Sequence, residues 1–192
     1  MIRWAVFVSG EGSNLQHFLN LEKFSLKQNK IVCVIADREC RAVERAKKSK
    51  KKTAVIEPGP AFSKQVLKFL KAEKVDAIFL LGFMRILKPD FLATFQKPIV
   101  NLHPSWLPHY KGKDAIQKAY EAEEDFMGVS LHHVVAEVDA GEILRQISFP
   151  VKNSDGSRPS LSEITERTHE FERKIVSDYL FDLERISSFR KD

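Results

Sequence analysis

Cysteine is almost missing from this chain. Its 192 residues include two, Cys33 and Cys40, which do not form a C-x-x-C pair. A disulfide framework is therefore excluded, and neither cysteine stands near a histidine to suggest a metal site. No apolar run approaches the roughly 20 residues of a membrane span. The opening residues Met1-Ile2-Arg3-Trp4 pass directly into a strand-like run, without the charged start, apolar stretch and cleavage site of a signal peptide. These absences lead to the expectation of a reducing cytoplasm. Several signatures of catalysis are missing too. Leu15 stands where the G-x-G-x-x-G dinucleotide fingerprint needs its third glycine, and no Gly-Lys-Ser/Thr follows to make a P-loop. Ser9 and Ser13 lack the G-x-S-x-G elbow, and Ser105 lies between prolines. The six histidines form no H-E-x-x-H, and the neighbours His132 and His133 point apart if they lie in a strand. No metal is expected.

What is present suits one globular domain, 1–192: hydrophobic residues are 43% of the chain. The net charge is +5, much of it in Lys47-Lys48-Ser49-Lys50-Lys51-Lys52. No aromatics interleave with that run, and it falls at a predicted helix end, where cations suit the dipole. It reads as a solvated helix end, and neither nucleic acid nor membrane is expected as a partner. The overall basicity can still steer anionic small molecules. The chain alternates strand and helix patterns: strands near 3–8, 31–36, 53–56, 75–81, 99–103, 129–135 and 143–151, and helices after 13, over 40–48, after 62, after 88 and over 115–121. A long amphipathic helix opens at the capping box Ser160-Leu161-Ser162-Glu163. The alternation predicts an α/β fold, a Rossmann-like, mostly parallel twisted sheet with helices on both faces and extra strands near the end.

Three stretches carry chemistry. Ser9-Gly10-Glu11-Gly12-Ser13-Asn14 joins a strand to a helix; its glycines let backbone N–H groups turn inward at a helix start, which suits a monophosphate. Asp37 ends the second strand as a ribose-binding acid would, but Asp37-Arg38-Glu39 serves equally well to open the next helix and is left out of the site. Gly82-Phe83-Met84-Arg85-Ile86-Leu87 is apolar where a surface loop is usually polar, and can wall a pocket for a flat ring. The strand Ile99–His103 brings Asn101 and His103 to one face before Pro104 ends it. An amide and an imidazolium side by side can stabilise a developing oxyanion, provided a carboxylate holds the imidazole protonated near neutrality. Asp139, on the turn before Gly141, is a candidate for that acid, with Asp76, Asp114 and Asp125 as competitors.

These segments, with Gly112-Lys113-Asp114-Ala115-Ile116 and Gly128-Val129-Ser130 through Val138-Asp139-Ala140-Gly141, resemble the phosphoribosylglycinamide formyltransferase family in order and over most of the chain to about Val151. The resemblance implies a folate-dependent enzyme of purine biosynthesis that moves a formyl group from 10-formyltetrahydrofolate to the amine of glycinamide ribonucleotide, as a monomer or homodimer. It implies a catalytic trio of Asn101, His103 and Asp139, with His103 the proton donor. It places the substrate phosphate on Gly12, Ser13 and Asn14. Folate falls on Met84, Arg85, Ile86, Leu87 and Asn101 and on the segment Val135, Ala136, Glu137, Val138 and Asp139. Lys64 stands where the family has a folate-contacting arginine, and a lysine lacks its bidentate fork. The family acid for glycinamide ribonucleotide falls near Glu170. Glu142 stands where proline is common. Rival readings are methionyl-tRNA or sugar-nucleotide formyltransferase, formyltetrahydrofolate deformylase, and a phosphate-ligand binding module without catalysis. The tRNA enzyme normally carries a further C-terminal domain, and the deformylase an N-terminal one.

Overall fold

The structure, a computed structural model, describes residues 1–189; Arg190, Lys191 and Asp192, the end of the expected domain 1–192, lie outside the described residues. The elements run β1 (Ile2–Val8), α1 (Ser13–Phe24), β2 (Asn29–Ala36), α2 (Arg41–Lys48), β3 (Lys52–Val55), α3 (Phe62–Ala72), β4 (Ala77–Leu80), α4 (Pro89–Phe95), β5 (Ile99–His103), α5 (Ala115–Glu121), β6 (Phe126–His133), β7 (Ile143–Pro150) and α6 (Leu161–Phe189). Among the described residues the strands form one seven-stranded sheet in the order β3-β2-β1-β4-β5-β6-β7. Its first five strands are parallel and β6 and β7 antiparallel. This is the expected Rossmann-like α/β sheet, with the extra strands at one edge.

The alternation of β1 explains why both faces are covered. Trp4, Val6 and Val8 point to one side, into a core shared with Leu15 and Phe18 of α1, Val43 of α2 and Ile164 and Ile175 of α6. Ala5 and Phe7 point to the other, against Val66 and Leu70 of α3 and Phe91 of α4. At the start of α6, Glu163 accepts the backbone N–H of Ser160 at 2.8 Å, and the Ser160 hydroxyl accepts the Glu163 N–H at 3.3 Å. That is the expected capping box.

Some expectations change. Val75 does not begin β4, because its N–H closes the end of α3 on the Leu70 carbonyl. Asp37 does not open α2: the N-cap of that helix is Cys40, and Asp37 is 2% exposed. The basic run behaves as a helix end whose later lysines pair with acids. Lys51 meets Glu22 at 2.6 Å and Lys52 meets Glu73 at 2.8 Å.

The chain order places the functional end of the sheet. From β1 the chain moves outward through β2 and β3, then crosses back to β4 on the other side of β1. Two successive connections therefore part company above the C-terminal ends of β1 and β4, leaving a crevice of the kind in which open α/β sheets take ligands. The loop Ser9–Asn14 leaves one of those strands and Gly82–Leu87 the other. Asn101 and His103 close the same end on β5.

Candidate active site

That crevice is a cavity of about 500 Å³. The loop after β1, the segment after β4, the end of β5, residues 112–115, the β6–β7 turn and one face of α6 line it.

Gly12 is the N-cap of α1 in the left-handed region, φ 71°, and a Cβ there would lie 2.5 Å from Cβ of Ala42. Only glycine allows loop and α2 to approach so closely. The first-turn N–H groups of Ser13 and Asn14 precede the helical ladder and are available to an anion. Asn14 Nδ2 donates to Glu172 Oε2 at 2.8 Å, while its Oδ1 is buried without a partner among the described residues. Glu172 is 7% exposed, and burial pushes its carboxyl upward against the opposing pull of Asn14, His169 and Arg173. Asn14 and Glu172 line the cavity as a hydrogen-bonded pair, and a carboxyl there can hold hydroxyl or amine groups.

Asn101 and His103 share a face, as the strand period requires. The antiparallel register sets His132 opposite Asn101 and Ser130 opposite His103, and the β6–β7 turn folds Asp139 back over them. Asp139 adopts φ 49°. Its Oδ2 lies 3.4 Å from His103 Nδ1 and its Oδ1 3.4 Å from His132 Nε2. It also accepts from the Gly112 N–H at 2.8 Å and from Asn101 Nδ2 at 3.3 Å. Asp76 accepts from the Arg3 N–H, and Asp125 pairs with Lys152. Asp114 lines the cavity, but Asp139 is the carboxylate that meets His103.

Carbonyl partners fix the resting protons, because a carbonyl can only accept. His103 Nε2 meets the Tyr110 carbonyl at 2.9 Å, so Nε2 carries the proton. Nδ1, facing Asp139, is protonated only in the imidazolium. His132 Nδ1 donates to the His133 carbonyl at 2.8 Å. Its Nε2 accepts from Asn101 when neutral and donates to Asp139 when charged, with Asn101 Nδ2 at 3.1 Å.

The sequence led to the expectation that Asp139 lifts His103 above its ordinary value. The balance goes the other way. Burial lowers the pKa of His103 most; the Tyr110 carbonyl and Asp139 raise it, the charge of His132 lowers it, and the net shift is down. For Asp139, burial raises the carboxyl, but bonds from His132 and the Gly112 N–H and the charges of both histidines bring it below the ordinary range. In NMR titration of the ligand-free protein, His103 is expected to titrate below 6.5, the ordinary value. Asp139→Asn should lower it further, since the carboxylate favours the cation. A free-protein value above 7 would contradict this balance.

The apolar walls face one another. Met84 and Ile86 are 54% and 71% exposed on one side, and Val135 and Val138 are 44% and 41% exposed on the other. Exposed apolar side chains converging on one cleft mark a binding surface for a flat, apolar body. The Met84 N–H donates to Ser9 Oγ at 2.9 Å, which ties this wall to the loop after β1. The turn 134–142 is clasped to the loop after β5 through Lys111 and Glu137, 3.1 Å apart.

Two residues singled out from the sequence lie elsewhere. Glu170 is exposed on α6 and does not line the cavity; Glu172, two residues on, does. The helix explains this: Glu172 follows Ile164 and Thr168 at four-residue steps along the buried stripe, and Glu170 falls off it. Lys64 faces solvent on α3, away from the cavity. Its neighbours Phe62 and Ser63, with Arg85, Ile86 and Lys88, line a smaller hollow of about 160 Å³. His132, set aside with His133 as a strand pair pointing apart, is brought into the polar cluster. Its parity with Ser130 was visible in the sequence; its register against Asn101 was not.

The geometry has known parallels. The formyl transferase family model matches residues 2–180. A phosphoribosylglycinamide formyltransferase of Haemophilus influenzae is 34% identical over 181 residues, which is 91% of this chain and 84% of that protein. The trifunctional purine biosynthetic protein adenosine-3 of Bos taurus is 34% identical over 93% of this chain, which spans 18% of that protein's length. Among solved structures, glycinamide ribonucleotide transformylase 1 from Geobacillus kaustophilus superposes with a TM-score of 0.88 at 32% identity, covering 96% of this chain and 99% of that one. Phosphoribosylglycinamide formyltransferase from Bacillus Halodurans gives a TM-score of 0.88 at 28% identity, covering 94% of each chain.

Proposed function

The chain belongs to the formyl transferase family, and from that premise we propose that it transfers a formyl group from 10-formyltetrahydrofolate to the primary amine of glycinamide ribonucleotide. The chain 1–192 acts as one formyltransferase domain in the cytoplasm, on small molecules. The observation that carries this reading is the joining of three features in one cavity: an anion-ready loop, an apolar cleft, and between them a cluster of Asn101, His103, His132 and Asp139. The relatives of similar length, named for this reaction, support the choice of acceptor.

Gly12, Ser13 and Asn14 hold the acceptor's phosphate. Glu172, rather than Glu170, meets its polar groups beyond the phosphate. The cleft between Met84–Leu87 and Val135–Asp139 fits the flat pterin: its side chains are apolar, and a cavity of about 500 Å³ lies within the range of small-molecule sites. The bound co-substrate supplies a formyl carbon carried on a nitrogen. The acceptor's amine nitrogen bonds to that carbon, and the bond from the carbon to the folate nitrogen breaks. Asn101 Nδ2 and a His103 N–H stabilise the oxygen as it becomes negative. The proton shed by the amine reaches the leaving nitrogen through His103 or water.

His103 begins neutral by this account and gains its charge with the reaction. Negative charge arriving in the cavity, together with Asp139 at Nδ1, raises its proton affinity when an anion needs it. To donate from Nε2, the ring must exchange the Tyr110 carbonyl for substrate oxygen.

The acceptor is tested by initial rates with 10-formyltetrahydrofolate and, separately, glycinamide ribonucleotide, water and charged initiator tRNA. Formylation of glycinamide ribonucleotide is expected. Formylation of tRNA, or hydrolysis alone, would overturn the reading. Glu172→Gln is expected to raise the KM for glycinamide ribonucleotide about fivefold or more, the scale of a lost hydrogen bond, with Glu170→Gln unchanged. Equal effects of the two would remove Glu172 from the site.

A further inference from the structure

Asp37 is unexplained by the reaction and by the fold. It follows β2, caps no helix, and its side chain is 0% exposed. A buried carboxylate is costly, and an ion pair seldom stabilises a fold more than apolar packing would, so its presence needs a reason.

One partner of Asp37, Arg85, comes from the wall of the cavity, and another, Arg38, is its neighbour in the chain. Arg85 Nε donates to Oδ2 at 2.8 Å, and Arg38 donates to Oδ2 at 2.8 Å and to Oδ1 at 3.3 Å. The nearby Ser9 hydroxyl helps to lower the Asp37 carboxyl, and Ser9 Oγ accepts the Met84 N–H. The Ser9 N–H donates to the Gly82 carbonyl at 3.1 Å. Burial raises the carboxyl, but the bonds from Arg38, Ser9 and Arg85 bring it to about 2, so it is ionised throughout the working range of pH. The carboxylate therefore holds the Arg85 side chain, while the neighbouring Ser9 hydroxyl holds a backbone N–H of the same Met84–Leu87 segment. Met84 and Ile86 are exposed and only Leu87 at the segment's end is packed into the core, so the middle of the segment has little packing of its own to fix it.

We propose that Asp37 is a positioning residue for the co-substrate, fixing Arg85 and the Met84–Leu87 wall against the loop after β1. The inference rests on the reading of that wall as the folate surface. It acts through other residues and touches neither reacting group. Asp37→Asn keeps the shape but presents an amide N–H where the guanidinium groups need acceptors.

The test measures kcat and both KM values for wild type, Asp37→Asn, Arg85→Met and the double variant, with calorimetric binding of tetrahydrofolate to each. Asp37→Asn is expected to raise the folate KM and the tetrahydrofolate Kd about tenfold. The kcat and the KM for glycinamide ribonucleotide should stay within about twofold. In an Arg85→Met background the added loss should be clearly smaller, because the two act together. If Asp37→Asn does not fold, Ser9→Ala, which leaves both arginine pairs intact, should still raise the folate KM and Kd severalfold. An unchanged folate Kd in a folded variant, or a parallel loss in kcat and both KM values, overturns the proposal. A wild type that binds tetrahydrofolate but does not formylate glycinamide ribonucleotide overturns the acceptor alone, and the Kd comparison still decides Asp37. A wild type that binds no tetrahydrofolate overturns both.

Discussion

His103→Ala is expected to lower kcat by about two to three orders of magnitude, the cost of removing one preorganised oxyanion donor. His103 is 5% exposed at the end of β5, with the Tyr110 carbonyl on one ring nitrogen and Asp139 on the other. Asp139 and the strand beneath it fix the ring, and the Tyr110 carbonyl occupies Nε2 until substrate oxygen takes its place. Alanine removes the proposed donor and leaves only water to carry the proton. Glycinamide ribonucleotide should still bind with little change, since in the proposed reading Gly12–Asn14 and Glu172 hold it from α1 and α6. Calorimetry with the acceptor and steady-state turnover separate the two effects. A variant retaining kcat within tenfold of wild type would remove His103 from the chemistry.

Gly141→Ala is expected to cost the fold about 3 kcal/mol, near the upper end for forced overpacking. A Cβ at Gly141 would lie 1.8 Å from the His133 carbonyl oxygen and 2.7 Å from its carbon. No rotamer relieves a Cβ clash with backbone. The neighbouring bond from the His133 N–H to the Glu142 carbonyl, 2.8 Å long, must stretch or break as the two strands of the turn separate. That turn carries Val135–Asp139, so both the apolar wall and the carboxylate beside His103 move with it. Thermal unfolding should show a melting temperature roughly 6–12 °C lower, from 2–4 °C per kcal/mol at this chain length, with most turnover lost. Gly59→Ala is the control: nothing lies within 4 Å of a Cβ there, and its stability should change by less than about 0.5 kcal/mol. A Gly141→Ala protein with wild-type melting and turnover would contradict the tight turn.

How far the sequence foretold this site depends on what each residue needed to be recognised. Asn101 and His103 needed only the two-residue period of a strand and a proline to end it, so their shared face was legible. The glycine loop was legible for a similar reason, since turn and helix start are local. Glu172 was within reach but missed: the stripe Ile164, Thr168, Glu172, Val176 follows helical spacing, and following it would have chosen Glu172 over Glu170. His132 was beyond reach, because strand register is set by the whole sheet. The charge of His103 was misjudged because the sequence names a carboxylate partner but not the depth of burial that opposes it. Asp37 was set aside for a local role as a helix opener. Its long-range partner Arg85 meets it only when β1, β2 and β4 lie side by side.

The most direct measurement is a crystal structure of the chain with glycinamide ribonucleotide bound. The account predicts the phosphate on the N–H groups of Gly12, Ser13 and Asn14, with the amine turned toward Asn101 and His103 beside the Met84–Leu87 wall. A phosphate bound away from that loop, or an amine pointing out of the cavity, would contradict it.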